Sequence, residues 1–398
     1  MGHGKRNAGE KKLELYFHIP FCARKCYYCD FLSAPADEST IKKYMEALLA
    51  ETVGSALSYA EEYTVYSIFI GGGTPSVVSV SCIEDLLDAV KGRYRLARDA
   101  EVTIEVNPGT VSGQALSRYR EAGINRLSIG LQSADNRELA AIGRIHTWEQ
   151  FLDTYAEARK AGFRNINVDL MSALPGQTLS RYRSTLEKVL SLEPAPEHIS
   201  AYSLILEEGT YLYDLYEKGK LEIPDEDTDR LMYQETKELL ARRGYWRYEI
   251  SNYAKEGYEC RHNCGYWTRE NYAGFGLGAS SLVENVRFKN GTDLQAYLAN
   301  PSGCREDIQQ LSREEQMEEF MFLGLRMTRG VDGDRFRRLF GCGMEEVYGE
   351  VIRKNIRDGL LRVYPDSESR EGHAAWRHLS LTEKGLDVSN YVMAQFLL

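Results

Sequence analysis

Six short apolar runs alternate with stretches of helical periodicity through the first half of the chain, and no other feature restricts the fold as strongly. The runs fall at 13–19, 65–70, 102–106, 126–131, 166–171 and 198–204. Helical spacing fills the intervals at 38–62, 81–95, 112–122, 135–142, 148–161 and 178–191. Strands that alternate with helices pair in parallel through right-handed crossovers, so the pattern predicts an α/β fold. Nearly every run is followed by a polar or glycine-rich cluster. In order these are three cysteines, Gly71-Gly72-Gly73-Thr74-Pro75, Glu105-x-Asn107-Pro108, Gln132-Ser133, Asp169, and the segment from Tyr202 to Glu207. A doubly wound sheet concentrates its functional groups at one switch point, whereas a barrel draws them from many strand ends. Contributions from all six strands favour a barrel, here short of the usual eight.

The first cluster carries the most specific chemistry. The alternating residues Leu13, Leu15, Phe17 and Ile19 read as a strand stopped by Pro20, and Cys22, Cys26 and Cys29 follow at once. Thiolates at this density suit a soft metal or an iron–sulfur cluster. A cubane has four irons, so three cysteines leave one iron without a protein ligand. Two other readings stay open from the spacing alone. Cys26 and Cys29 form a C-x-x-C that could be a redox pair, although that motif opens a helix and needs no Cys22. A structural zinc would need a fourth ligand, with Cys260, Cys264 or His262 as candidates. The first residues carry charge but no apolar core of a secretory signal, so the eight cysteines point to a reducing compartment and to metal or redox use. Cys82, Cys304 and Cys342 stand alone and read as packed or surface thiols.

Other rim residues are ambiguous singly. A glycine run can be a tight turn and nothing more, but directly after a strand it lets bare backbone approach a ligand. Glu105 is either a charge at a barrel rim or a functional carboxylate.

The cysteine spacing, Tyr28 before the third cysteine, and the flanking His18-Ile19-Pro20-Phe21 and Asp30-Phe31 resemble the radical S-adenosylmethionine superfamily, in its coproporphyrinogen-oxidase-like branch. The order and spacing of the rim motifs extend the resemblance over 13–208. It implies a partial, TIM-like (β/α)6 barrel. It also implies a [4Fe–4S] cluster on Cys22, Cys26 and Cys29, with the open iron chelated by the amino and carboxylate groups of S-adenosylmethionine. By the same resemblance Gly72, Gly73 and Thr74 contact the methionyl amino group, and Glu105 and Tyr16 contact the cofactor. Gln132, Arg144 of the GRIH motif and Asp169 of VDLMSALPG face a nucleoside or second-cofactor region.

The second half changes character. Residues 211–247 read as helical with an acidic break at Pro224-Asp225-Glu226-Asp227, and a glycine-dense run, 271–281, is expected to bring backbone near the cofactor pocket. A strand is expected at 282–289 and a short helix at 293–299. From 314 onward, helices at 314–328, 332–340, 344–358 and 382–396 surround two short apolar segments at 360–364 and 376–381, a winged-helix-like pattern. The usual partner of that pattern is DNA. A net charge of −10 and the absence of a basic stripe favour a structural or substrate-covering role instead. The expected organisation is a disordered tail at 1–12, the barrel at 13–210, an α+β extension at 211–310 and the C-terminal winged-helix-like domain at 311–398. No apolar run is long enough to span a bilayer, so a cytoplasmic location is expected.

Within the extension lies Arg261-His262-Asn263-Cys264-Gly265-Tyr266-Trp267. A lone histidine among aromatics is most often a hydrogen-bonded structural residue. The His-Asn-x-x-Tyr-Trp spacing, however, is similar to the hallmark of the heme-chaperone members of this branch, which implies a heme contact at His262. As partners it implies heme, heme-acceptor proteins and a reductant such as flavodoxin or ferredoxin. Two departures from the oxidase itself accompany this. Position 31 is Phe where the oxidase has a further cysteine, and only 15 residues precede Tyr16, too few for the segment that closes the oxidase site. Oxidative decarboxylation of coproporphyrinogen III and radical methyl transfer are the alternative activities, and whether the chain is an enzyme is left open.

Overall fold

The computed structural model describes residues 11–365 and 376–398. These pack as two units, one of residues up to 239 with 271–308, the other of 240–270 with 309–398.

The first unit is built on β1 (Lys11–Ile19), β2 (Tyr63–Gly72), β3 (Arg95–Val106), β4 (Arg126–Gln132), β5 (Ile166–Ser172) and β6 (His198–Ser203), paired in that order and all parallel. Between them run α1 (Glu38–Tyr59), α2 (Val80–Arg93), α3 (Gly113–Glu121), α4 (Asn136–Ala141), α5 (Trp148–Lys160) and α6 (Leu179–Leu190). Helix starts are set locally. Asp37, Ser112, Thr147 and Thr178 each accept a hydrogen bond from the backbone N–H three residues on, satisfying a donor that has no partner within the helix. Parallel strands covered on both faces are apolar throughout, and every residue of β4 is buried. The register sets Ile19 beside Gly72 and Ile70 beside Ile104. The cysteine loop and the glycine turn therefore leave the sheet side by side.

Four expectations for this unit need correction. Lys11 and Lys12 belong to β1, and the rest of the expected tail lies outside the described residues. β3 starts at Arg95, well before 102. Its pairing with β2 steps from Val65↔Leu96 to Ser67↔Glu101, so the residues between Leu96 and Glu101 bulge out, and their charged, non-alternating sequence hides the strand. The glycine-dense run carries a strand where none was expected. Tyr272–Phe275 pairs in parallel with the other edge of β1, from Glu14↔Tyr272 to Phe17↔Phe275. Its far end is fixed to the buried carboxyl of Glu51, which accepts hydrogen bonds from Gly276 N–H (2.8 Å), Asn290 Nδ2 (2.7 Å) and the Tyr297 hydroxyl (2.7 Å). Finally, the single strand expected at 282–289 is a hairpin, Ser280–Val283 against Val286–Asn290. Its turn puts Glu284 and Asn285 at φ of 50° and 62°, the left-handed pair that matches strand twist.

The second unit contains helices Arg313–Gly324, Gly333–Phe340 and Met344–Arg357, and a three-stranded sheet in the order Val331–Asp332, Trp376–Leu381, Leu361–Pro365. Met321, Leu325, Phe336, Ile352, Leu379 and Phe396 form its core. Phe320, Phe336 and Phe340 pack edge-on or tilted around one another. This is the expected winged-helix-like pattern, except that the last helix is split into Glu383–Asp387 and Ser389–Ala394 by a non-helical Val388. Helix Arg261–Trp267 also packs in this unit, so the expected 211–310 extension is divided between the two.

Candidate functional site

The mouth of the barrel gathers the sequence-predicted residues of the first unit. Its cysteine loop is pinned at the base, where Cys22 N–H donates to the Ala34 carbonyl (3.2 Å) and Ala34 N–H to the Pro20 carbonyl (3.0 Å). The glycine turn grips the same segment from the side. Gly73 N–H donates to the Ile19 carbonyl (2.8 Å) and Thr74 N–H to the Phe21 carbonyl (2.7 Å). Two glycines are compulsory here. Gly72 has φ of +114°, and a Cβ there would lie 2.6 Å from the His18 ring; a Cβ on Gly73 would lie 2.6 Å from the Phe21 carbonyl and 3.0 Å from Cys22 Sγ.

Two of the three thiols receive side-chain donors. The Thr74 hydroxyl reaches Cys22 Sγ at 3.5 Å, and Arg144 Nη1 reaches Cys26 Sγ at 3.6 Å. These donors are themselves joined through Asn107. Arg144 Nη2 donates to Asn107 Oδ1 (2.7 Å) and to the Gly130 carbonyl (2.6 Å), and Asn107 Nδ2 donates to Thr74 Oγ1 (2.8 Å). With its oxygen accepting from Asn107, the Thr74 hydroxyl is left to donate toward sulfur. Cys29 lies in the field of Cys26 and Cys22, and burial, its main influence, pushes its thiol up. Among the described residues no three His, Cys, Asp or Glu side chains form a group that could hold a single metal ion. A cubane binds each thiolate to a separate iron, and hydrogen bonds to its sulfurs stabilise its negative charge. Three thiols with hydroxyl and guanidinium donors fit that group. Phe31 is 62% exposed, so this loop offers no fourth sulfur at that position.

Inside the barrel, Glu105 Oε2 accepts Gly72 N–H at 3.1 Å. Desolvation, reinforced by the charge of Asp169, pushes the Glu105 carboxyl up to about 8, with Gly72 N–H and Arg126 opposing. Asp169 is raised by burial too, against donors from Asn167 (2.7 Å) and Ser128 (3.2 Å). The Tyr16 hydroxyl sits 3.0 Å from His18 Nδ1, and His18 Nε2 lies 2.9 Å from the Leu32 carbonyl. A carbonyl can only accept, so Nε2 carries the proton and Tyr16 donates to Nδ1. Burial lowers the His18 pKa, which keeps that ring neutral. Gln132 is held at φ of 72°, with Oε1 buried and without a partner among the described residues. A strained amide with an unused acceptor, a bare-backbone turn and a proton-holding carboxyl suit a polar ligand such as an amino-acid-bearing nucleoside.

Asn107, His18 and Arg126 are absent from the sequence-predicted set. Asn107 had a signal, standing two residues after Glu105 and before a proline. Arg126 had none, because a single arginine at the start of an apolar run reads as an edge residue although it is buried here.

His262 sits in the second unit on helix Arg261–Trp267 and is 1% exposed. Its Nε2 is 2.9 Å from the Tyr266 hydroxyl, and the two rings meet edge to face at 4.9 Å. Trp267 is covered by the Arg326 guanidinium, 4.3 Å from its ring centroid.

Known proteins match both units. Residues 16–189 match the Radical SAM superfamily and 311–366 the HemN C-terminal domain. The heme chaperone HemW of Lactococcus lactis is 39% identical over 390 residues, covering 98% of each chain. The heme chaperone HemW of Bacillus subtilis is 36% identical over 386 residues, covering 96% of this chain and 98% of the other. The chain belongs to the HemW family. Membership places it in the coproporphyrinogen-oxidase-like branch of the radical S-adenosylmethionine superfamily. The fold is shared with coproporphyrinogen III oxidase (HemN) from Escherichia coli, at a TM-score of 0.83 over 98% of this chain and 90% of that one, with 22% identity. No helix among the described residues of this HemW-family chain is long and apolar enough to cross a membrane.

Proposed function

We propose that this chain is a heme chaperone, which binds heme and delivers it to acceptor proteins. End-to-end identity to HemW proteins carries the reading, because it spans the barrel, the His262 segment and the C-terminal unit alike. Cys22, Cys26 and Cys29 would hold a [4Fe–4S] cluster, with Thr74 and Arg144 donating to its thiolates. S-adenosylmethionine would lie over Gly72, Gly73 and Thr74, with Glu105 accepting from its polar groups and Tyr16, Gln132, Arg144 and Asp169 completing the pocket. When bound, such a cluster supplies single electrons, which calls for a reductant such as flavodoxin or ferredoxin. The residues lining the barrel mouth orient the ligand, exclude water and hold a proton on Glu105. His262 is the proposed heme contact, and its imidazole would exchange the Tyr266 hydroxyl for iron. The eight free cysteines suit a reducing, cytoplasmic setting.

The deciding experiment pairs hemin titration of the cluster-loaded protein with an oxidase assay containing S-adenosylmethionine, reductant and coproporphyrinogen III. Stoichiometric hemin binding, altered in spectrum or affinity by His262→Ala, and no release of carbon dioxide are expected. Multiple-turnover formation of protoporphyrinogen would overturn the chaperone reading in favour of the oxidase.

A further inference from the structure

Lying wholly within the second unit is a cavity of about 200 Å³. Trp267, the last residue of the HNCGYW segment, forms part of its wall together with Phe320, Met327, Arg329, Arg335 and His378. The wall thus combines aromatic side chains with cationic and imidazole-bearing ones. Arg335 is partly committed, donating to the Thr268 carbonyl (2.8 Å) and Glu270 Oε1 (3.2 Å). Arg329 and His378 are exposed, and their side chains make no hydrogen bond or ion pair among the described residues. Asp332, the one carboxylate in the lining, caps the helix that follows through Oδ1, which accepts from Asp334 N–H (2.8 Å) and Arg335 N–H (3.0 Å). The indole Nε1 of Trp267 is buried without a partner among the described residues, and the Arg326 guanidinium lies over its ring.

We propose that this cavity anchors the carboxylate-bearing edge of a porphyrin. Ligand pockets that enclose a whole drug-sized molecule run to roughly 300–1,000 Å³, so this one takes an edge and leaves the rest of the macrocycle outside. A porphyrin's two propionates sit on one edge of a flat apolar ring. Arg329 meets one carboxylate through its guanidinium fork, His378 donates to the other, and Trp267 and Phe320 pack against the ring. The assignment deepens the heme-chaperone reading and rests on it. It differs from that reading in what it recognises, which is the carboxylates rather than the iron.

The test therefore uses metal-free protoporphyrin IX and its dimethyl ester as probes, with the full chain and fluorescence detection, alongside hemin titration. The wild-type protein should bind the diacid at least about tenfold more tightly than the ester, the loss typical of charged hydrogen bonds. Arg329→Ala and His378→Ala should each bring the diacid most of the way down to the ester's affinity. Arg329→Lys should recover part of the preference, and Arg357→Ala, an exposed cation elsewhere in the unit, should keep it whole. Both key residues are exposed, so unchanged melting temperatures would certify the folds. A wild-type protein indifferent to esterification, or variants that keep the full preference, would overturn the cavity assignment. If hemin still binds in that case, the chaperone reading survives without it. Failure of the wild type to take up hemin or either porphyrin would end both.

Discussion

The barrel mouth and the C-terminal cavity solve opposite problems. At the mouth, donors and acceptors from different strand ends are joined to one another. Arg144, Asn107 and Thr74 form one chain of hydrogen bonds ending on two cysteines, and Glu105 is tied to the glycine turn. In the cavity, by contrast, Arg329 and His378 stand exposed, and their side chains make no hydrogen bond among the described residues. Preorganisation lowers the cost of holding a group in one geometry, which suits a resident cofactor. A cargo must also leave. Exposed contacts that water can replace favour release over retention. His262 differs from both, buried and already hydrogen-bonded, so the heme contact proposed there would carry the cost of breaking its bond with Tyr266.

The sharpest way to break this contrast is to remove a resident ligand. Cys22→Ala, Cys26→Ala and Cys29→Ala should each reduce anaerobic iron and sulfide loading from about four per chain to near zero, as a cubane requires. Cys82→Ala should load normally. Zinc held tightly by anaerobically purified protein, with no iron uptake, would show the mouth to be something else.

Why the mouth was legible and the cavity was not follows from how each is built. Parallel strands repeat an apolar pattern with polar clusters at their ends, so the cysteines, the glycine turn, Glu105 and Asp169 could be grouped at a barrel mouth from the sequence, while the roles of Gly72, Glu105 and Asp169 came from the family resemblance. The features missed there were those without periodicity: the bulge that hides the start of β3, and Arg126, whose field reaches Glu105 and Asp169 only in three dimensions. The cavity draws Trp267, Phe320, Arg329 and His378 from separate elements along the chain, with no repeat to align them. The same reason kept the Arg261–Trp267 helix from being assigned to the C-terminal unit.

Next in size is the loss of a ligand contact at the mouth. Glu105→Ala should weaken S-adenosylmethionine binding roughly ten- to hundredfold, the equivalent of about 1.5–3 kcal/mol, in a protein that keeps its cluster. Its pH dependence sharpens the point. The folded carboxyl titrates near 8 and the unfolded one near 4.5, so the folded state retains a proton the unfolded chain has released. Cluster-free protein should therefore lose stability as pH rises from 4.5 toward 8, and Glu105→Gln should flatten that slope. A cationic ligand favours the ionised carboxyl, so affinity should rise between pH 6 and 8 in the wild type only. Isothermal titration at the two pH values checks this, and equal slopes in the variant would take Glu105 out of the site.

Smaller still is the cost of filling the glycine turn. Gly72→Ala forces a residue with φ of +114° to carry a Cβ against the His18 ring. About 1–3 kcal/mol of stability should be lost, read from the denaturation midpoint. No matching sensitivity is expected at Gly341, also at positive φ, where no atom lies within 4 Å of an added Cβ and only the backbone term remains. Equal losses at both positions would mean that the packing of the turn on His18 contributes nothing.

The finest test concerns Asn107, which touches no cysteine yet sets the direction of the bonds that do. Its Nδ2 occupies the acceptor side of the Thr74 hydroxyl, so the proton of that hydroxyl points to Cys22, while its Oδ1 holds the guanidinium that reaches Cys26. Asn107→Ala should leave iron loading intact, because all three thiols remain. It should free Thr74 and Arg144 to turn away, so that the thiolates lose donors whose value is greatest in the more negative, reduced cluster. The midpoint potential should then move to more negative values by about 20–60 mV, the one-electron equivalent of about 0.5–1.5 kcal/mol for a hydrogen bond lost. Asn107→Asp keeps the acceptor for Arg144 but cannot donate to Thr74, so it separates the two arms of the network. A potential unchanged in both variants, with the cluster loaded, would reduce Asn107 to a residue that merely fills the turn before Pro108.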